Sequence, residues 1–140
     1  MTLQLQTSRY WKTPPELYSK LDQEFNFDFD PCPPNPDFDG LNCEWGNCNF
    51  VNPPYDRIME WVEKAWCENQ KGNLVCMLTP ARTDTKWFHR YVIPYASEIR
   101  FLQGRLRFND NPNYLARAPF PSMVFIFALN ANQETEKAKL

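Results

Sequence analysis

The residues best placed to do chemistry are Asn52, Pro53, Pro54 and Tyr55, which follow directly on Phe50 and Val51. Asn52 carries a side-chain carbonyl, and Pro53 presents a backbone carbonyl with no N–H of its own to compete. Tyr55 adds a flat ring that is apolar in its body and polar at its tip. Two acceptors and a stacking ring, held by two rigid prolines, make a clamp for a planar group bearing an NH2. An exocyclic amine conjugated to a base ring is a poor nucleophile. Carbonyls that accept its hydrogens make the nitrogen more electron-rich and aim it at an electrophile. The plain alternative is a Pro-Pro turn at a strand end, and the surrounding elements decide between the two.

Those elements can be read from the apolar spacing. Residues 14–24 predict a helix, with Thr13 as N-cap, Pro14 or Pro15 in the first turn, and Leu17 and Leu21 four apart on one face. Phe25 to Asp30 alternates phenylalanine with polar residues and predicts a strand ended by Pro31. Residues 31–48 are a loop rich in Pro and Asp. Asn49 to Asn52 predicts a strand that delivers the clamp. Residues 56–70 predict an amphipathic helix with Ile58, Trp61, Val62, Ala65 and Trp66 on one face, and Gly72 ends that connection. Leu74 to Leu78 is nearly all apolar, as in a sheet covered on both faces. Thr85 to Val92 predicts a short helix, and Ile99 to Leu102 and Met123 to Leu129 the last strands. Strands alternating with helices indicate a three-layer α/β fold with a mainly parallel sheet and helices on both faces. The last two strands have no helix between them, which favours an antiparallel pair.

The chain has 140 residues, with 16% aromatics, 13 prolines and 4 glycines. Residues 1–130 are expected to form one domain, and 131–140 a polar tail. No apolar run has the length of a membrane span, and no signal peptide opens the chain. The five cysteines include no Cys-x-x-Cys pair, so free thiols in a reducing cytoplasm are expected. Cys43 and Cys48 have no matching pair downstream, so no zinc site is expected. The net charge is −2 but unevenly placed. Residues 1–70 hold 5 Lys/Arg against 12 Asp/Glu, and residues 71–140 hold 10 against 5. An acidic half suits a cationic ligand and a basic half suits phosphates, although either can be an ordinary solvated face.

In this setting the chain resembles the phage DNA N-6-adenine methyltransferase (Dam-like) family, from about Tyr10 to Phe127. The matching segments are W-K-T-P-P-E-L (Trp11 to Leu17), F-D-F-D-P-C (Phe27 to Cys32), D-G-L (Asp39 to Leu41), F-V-N-P-P-Y (Phe50 to Tyr55), L-T-P-A-R-T-D-T-K-W-F-H (Leu78 to His89), G-R-L-R-F (Gly104 to Phe108) and A-P-F-P-S (Ala118 to Ser122). The resemblance implies a small Rossmann-like fold that uses S-adenosylmethionine. It implies a cofactor site of Trp11, Thr13, Pro14, Asp30, Pro31 and Asp39. Within it, Thr13 and Pro14 meet the methionine end, Asp30 holds the amino group, and Asp39 reads the adenine amine or ribose. Asn52, Pro53, Pro54 and Tyr55 would hold the target adenine, flipped out of double-stranded DNA in the host cytoplasm. One departure stands out. The loop after Asp30 reads Pro-Cys-Pro-Pro-Asn-Pro, with no glycine before Gly40. An acidic residue ending a second strand is also missing, which leaves Asp37 or Asn35 for that place.

Other residues are weighed against plainer roles. Asp28 fits the polar side of a strand, whereas Asp30 stands at a strand end, where open α/β sheets bind ligands. His89 is the single histidine and is expected to be structural, because the amine loses its proton only after it attacks. Trp61 and Trp66 have core spacing, while Trp11 and Trp87 fit either role. Arg82, Lys86, Arg105 and Arg107 are the expected substrate contacts, with Arg90 beside them, and residues 103–122 are the one sizeable candidate for target recognition. The expected activity is therefore adenine-specific DNA methylation. The alternatives are methylation of RNA or of protein glutamine, or a non-catalytic module that binds DNA or cofactor. The oligomeric state stays open, and a dimer is compatible with it.

Overall fold

A computed structural model describes residues 12–107 and 117–128. The elements run α1 (Pro15–Phe25), β1 (Cys48–Val51), α2 (Ile58–Gln70), β2 (Leu74–Pro80), a π-wound turn (Phe88–Val92) continuing into α3 (Ile93–Tyr95), β3 (Glu98–Phe101) and β4 (Ser122–Phe127). Trp11 and the tail 131–140 lie outside the described residues, as do residues 108–116 of the 103–122 segment.

The sheet order is β1-β2-β4-β3. β1 and β2 pair parallel, while β4 pairs antiparallel with both β2 and β3. The expectation of a mainly parallel sheet is thus corrected to a mixed one. The described residues between β3 and β4 form no helix, and a return without a crossover helix pairs antiparallel. The antiparallel pairing of the last two strands is as the sequence indicates.

The alternation of side chains across the strands builds two apolar layers. Val51, Val75, Met77, Met123, Phe125 and Phe127 face Trp61, Val62 and Ala65 of α2 together with Trp87, Phe88, Tyr91 and Val92. Phe50, Cys76, Leu78, Val124 and Ile126 face Leu21, Leu17 and Tyr18 of α1. Helices therefore cover both faces, and Trp87 belongs to the core. Each fully buried Phe or Met contributes roughly 1.5–3 kcal/mol by leaving water. All five cysteines are free thiols. Among the described residues no helix is long and apolar enough to cross a membrane, and no grouping of His, Cys, Asp and Glu could hold a metal.

Two local expectations are corrected. Thr13 is not an N-cap: Pro14 holds that position, and no side chain caps α1. Phe25 to Asp30 is not a full strand either. α1 extends through Phe25, and Asn26 ends it in the left-handed region at φ 58°, its N–H donating to the Asp22 carbonyl. Only Phe29 bridges β1, parallel, at Asn49. The phenylalanine alternation instead builds a ring cluster, in which Phe27 lies 5.9 Å from Phe25, 5.8 Å from Tyr18 and 5.4 Å from Phe50.

The edge where β1 and β2 begin is locked by Glu68, near the end of α2. Its buried carboxylate accepts from the Trp45 N–H (3.3 Å), Asn73 Nδ2 (3.0 Å) and the ammonium groups of Lys64 and Lys71 (2.9 Å each). Burial pushes this carboxyl up, but the hydrogen bonds from Lys71, Lys64 and Asn73 outweigh it and bring the pKa down to about 2. Gly40 completes the packing nearby, since a Cβ there would collide with the Pro31 carbonyl and the Trp61 ring.

Candidate functional site

Val51 ends β1 fully buried, and the chain leaves the strand through Asn52 and two prolines. A residue before proline is held extended, so Asn52 cannot curl into a helix. Pro54 stays extended (ψ 138°) and opens the single turn Tyr55–Arg57 that leads into α2. The clamp therefore sits between a strand and a helix, on a backbone with little freedom.

Asn52 is 4% exposed. Its Nδ2 donates to Thr13 Oγ1 at 3.0 Å, joining segments 39 residues apart. Both line a cleft of about 220 Å³ with Lys12, Pro15, Tyr18, Asp30, Cys32, Pro34 and Phe50. The cleft lies beyond the carboxyl end of β1, the edge of an α/β sheet where ligands bind. Lys12, Tyr18, Cys32, Pro34 and Phe50 were not singled out from sequence as site residues. The helical register of Leu17 and Leu21 is the signal that places Tyr18 beside them.

Asp30 is the charged acceptor of this cleft. It accepts the Cys32 N–H at 2.9 Å, and among the described residues no cation pairs with it. Burial pushes its carboxyl up to about 6, with the Cys32 hydrogen bond offsetting part of that rise. A half-buried carboxylate walled by the Tyr18 and Phe50 rings fits an ammonium or sulfonium group. Lys12 on the same wall supplies the opposite charge that a zwitterion needs. The volume falls below the roughly 300–1,000 Å³ of sites that enclose a whole small molecule, so it suits one end of such a ligand.

Three expected cofactor residues stand elsewhere. Asp39 is exposed and caps the turn Gly40–Asn42, its carboxylate accepting from the Leu41 N–H (3.0 Å) and Asn42 Nδ2 (2.6 Å). The Asn42 and Leu41 hydrogen bonds hold its pKa below the usual range. Pro31 is buried with its carbonyl against Gly40. Pro14 starts α1 and does not line the cleft.

Tyr55 faces a second patch. Its ring meets Phe120 edge-on, with centroids 5.5 Å apart, and packs with Leu106 around the buried Ala118. Burial raises its hydroxyl well above the ordinary tyrosine value, and the charge of Arg82 offsets part of that rise. Ala118 N–H donates to the Leu106 carbonyl at 2.7 Å, which ties the two sides of this patch together. Arg105 and Arg107 flank Leu106, Arg117 precedes Ala118, and all three are exposed. Arg105, Arg107 and Arg117 thus adjoin, along the chain, residues that pack with Tyr55, and Arg82 lies close enough for its charge to act on the Tyr55 hydroxyl. Lys86 and Arg90 are exposed on a helical segment that buries Trp87, Phe88 and Tyr91, and the cleft lining does not include them. His89 Nε2 lies 2.7 Å from the Thr83 carbonyl, a contact that braces the turn after Arg82.

No curated protein and no solved structure matches the chain. The family model described as DNA N-6-adenine-methyltransferase (Dam) matches residues 2–137. With nearly its whole length matched, the chain belongs to the DNA N-6-adenine-methyltransferase (Dam) family.

Proposed function

We propose that the chain methylates the exocyclic N6 of adenine in DNA, using S-adenosylmethionine bound to a small Rossmann-like fold. The observation that carries this reading is the meeting of Asn52 and Asp30 in one cleft at the carboxyl end of β1. S-adenosylmethionine, when bound, supplies an electrophilic methyl on a sulfonium. Asp30 and Lys12 are suited to its zwitterionic end. The Asn52 and Pro53 carbonyls accept the two amine hydrogens and turn the nitrogen lone pair toward the methyl. Tyr55 and Phe120 offer ring faces and edges to a base that has left its helix, at a cost of about a few kcal/mol. With the donor held by Asp30 and Lys12, the nitrogen lone pair that Asn52 and Pro53 aim would form the new N–CH3 bond, and the S–CH3 electron pair would stay with the leaving thioether. The amine then loses one proton to water, so no strong base is required. What the chain contributes is orientation and electrostatics. The exposed arginines that adjoin the packing partners of Tyr55 suit the phosphate backbone.

The test is to treat DNA lacking N6-methyladenine with the protein and S-adenosylmethionine, digest it to nucleosides and look for N6-methyladenine by mass spectrometry. Parallel RNA and protein arms separate the rival substrates, and no methyl transfer to any of them leaves a binding module. Asn52→Ala is expected to lose about 100- to 1000-fold in rate, the usual cost of one preorganised acceptor or donor, while still binding cofactor.

A further inference from the structure

We infer that Thr13 is a positioning residue for Asn52, a role that deepens the proposed methyl transfer and rests on it. The sequence placed Thr13 at the start of α1 as a cap, and the family resemblance placed it against the cofactor. The hydroxyl does not cap the helix, and it accepts Asn52 Nδ2–H at 3.0 Å. An asparagine amide has one face that accepts and one that donates, and a half-turn about its last bond exchanges them. Only the accepting atom, Oδ1, helps a substrate amine. If the NH2 faced that amine, donor would meet donor.

A hydroxyl can serve the amide either way, since it both donates and accepts. The occupant of the cleft makes the choice. Thr13 lines the same cavity as Lys12 and Asp30. An acceptor group seated there, such as a carboxylate, takes the hydroxyl proton. Thr13 is then left with lone pairs alone for Asn52, which commits Nδ2 to Thr13 and Oδ1 to the substrate. Filling the cleft thereby sets the amide for the base. The two segments also hold each other's rotamers, because Asn52 is nearly fully buried and Thr13 half-buried.

The experiment compares the full-length wild type with Thr13→Val and Thr13→Ser. Removing the hydroxyl takes no cap from α1, and thermal melts check that the variants are folded. Three quantities are measured: kcat on DNA lacking N6-methyladenine, the Kd for S-adenosylmethionine, and hydrogen exchange of the Asn52 side-chain NH2 by 15N NMR, assigned through Asn52→Asp. Thr13→Val is expected to lower kcat by about 100-fold, the cost of a misplaced reacting group, and to weaken Kd by only about 5- to 10-fold, as the seated ligand loses one hydrogen bond. Its Asn52 NH2 protons should exchange about 5- to 10-fold faster for the same reason. Thr13→Ser should restore all three. Wild-type exchange or wild-type kcat in Thr13→Val overturns the inference, as does a weakened Kd with kcat retained. If the wild type makes no N6-methyladenine, the methyltransferase reading fails by itself, and the NMR arm still decides whether Thr13 holds Asn52.

Discussion

Glu68 and Asp30 are carboxylates at opposite ends of the same parallel strands, and their surroundings are opposite too. Glu68, where β1 and β2 begin, is met by two ammonium groups, an amide and a backbone N–H. Asp30, at the other end, has one N–H from Cys32 and no cationic partner among the described residues. The first carboxyl is drawn down to about 2 and the second pushed up to about 6. One end of the sheet satisfies its own charge and holds the fold. The other leaves a charge unmatched in a cleft, a state that persists when a ligand is the missing partner.

The contrast is broken most directly at Glu68. Glu68→Ala is expected to cost about 2–3 kcal/mol in urea denaturation, less than a fully buried ion pair because Lys71 reaches solvent. The folded fraction should keep its affinity for S-adenosylmethionine. A variant of wild-type stability would mean that the network around Glu68 holds nothing together.

Asp30→Asn should do the reverse. The asparagine can still accept the Cys32 N–H but removes a charge that burial disfavours. The free protein should gain about 1–3 kcal/mol at neutral pH, from the raised carboxyl. Affinity for S-adenosylmethionine should fall by about 1–3 kcal/mol, the cost of an unmatched polar partner. Titration calorimetry and denaturation of the same preparation give both numbers. Equal affinity in the variant would detach Asp30 from the ligand.

Opposite shifts also make the two carboxylates respond oppositely to pH. Asp30 binds its proton more tightly in the folded state than in the unfolded one. Its contribution therefore favours folding at low pH and is lost as pH rises from the ordinary carboxylate range through about 6. Glu68 binds its proton more weakly when folded, so its contribution is present above the ordinary range and lost as pH falls toward 2. A cationic ligand needs Asp30 ionised. Its affinity should rise with pH up to about 6 and then level, with proton uptake by the buffer on binding below that point. Calorimetry in buffers of different ionisation enthalpy measures this. A flat profile in the wild type, or an unchanged one in Asp30→Asn, would remove the pairing.

How far the sequence reveals this contrast depends on the range of the contacts. β2 and β4 are legible because unbroken apolar runs require burial on both faces, and α2 because Trp61, Val62 and Ala65 recur at helical spacing. The exit from β1 at Asn52 to Tyr55 is legible because Pro53 and Pro54 favour an extended backbone there. The strand expected at Phe25 to Asp30 fails because rings that alternate along the chain can pack on a neighbouring helix as well as in a ladder. Thr13 fails as a cap because its partner, Asn52, is 39 residues away and no local pattern records that distance. Asp39 keeps its local role, an Asp accepting from the residue two ahead, which is how such residues start turns. Glu68 carried a visible signal, with Lys64 four residues before it and Lys71 three after. Its burial could not be seen, because that comes from Trp45 and Asn73 across a loop.

The same division separates the arginines, and it makes the smallest and sharpest test. Arg100 counts toward the basic half of the sequence, but its guanidinium is spent inside the molecule. It holds Glu24 at 2.5 and 2.8 Å and Glu98 at 2.6 and 3.1 Å, and it lies over the Phe25 ring. Arg105 and Arg107 are exposed beside Leu106, which packs with Tyr55 around Ala118. If they meet the DNA backbone, each phosphate they neutralise contributes about −0.9 to the slope of log affinity against log salt. Arg105→Ala with Arg107→Ala should flatten that slope by about one to two units and leave cofactor affinity alone. Arg100→Ala removes the same formal charge as either single change, yet should leave the slope where it was. Fluorescence anisotropy across a salt series resolves the two cases. Equal slopes in the wild type and the double variant would make Arg105 and Arg107 an ordinary solvated face, and a flattened slope in Arg100→Ala would show that sequence-wide charge, rather than its placement beside Leu106, draws the nucleic acid.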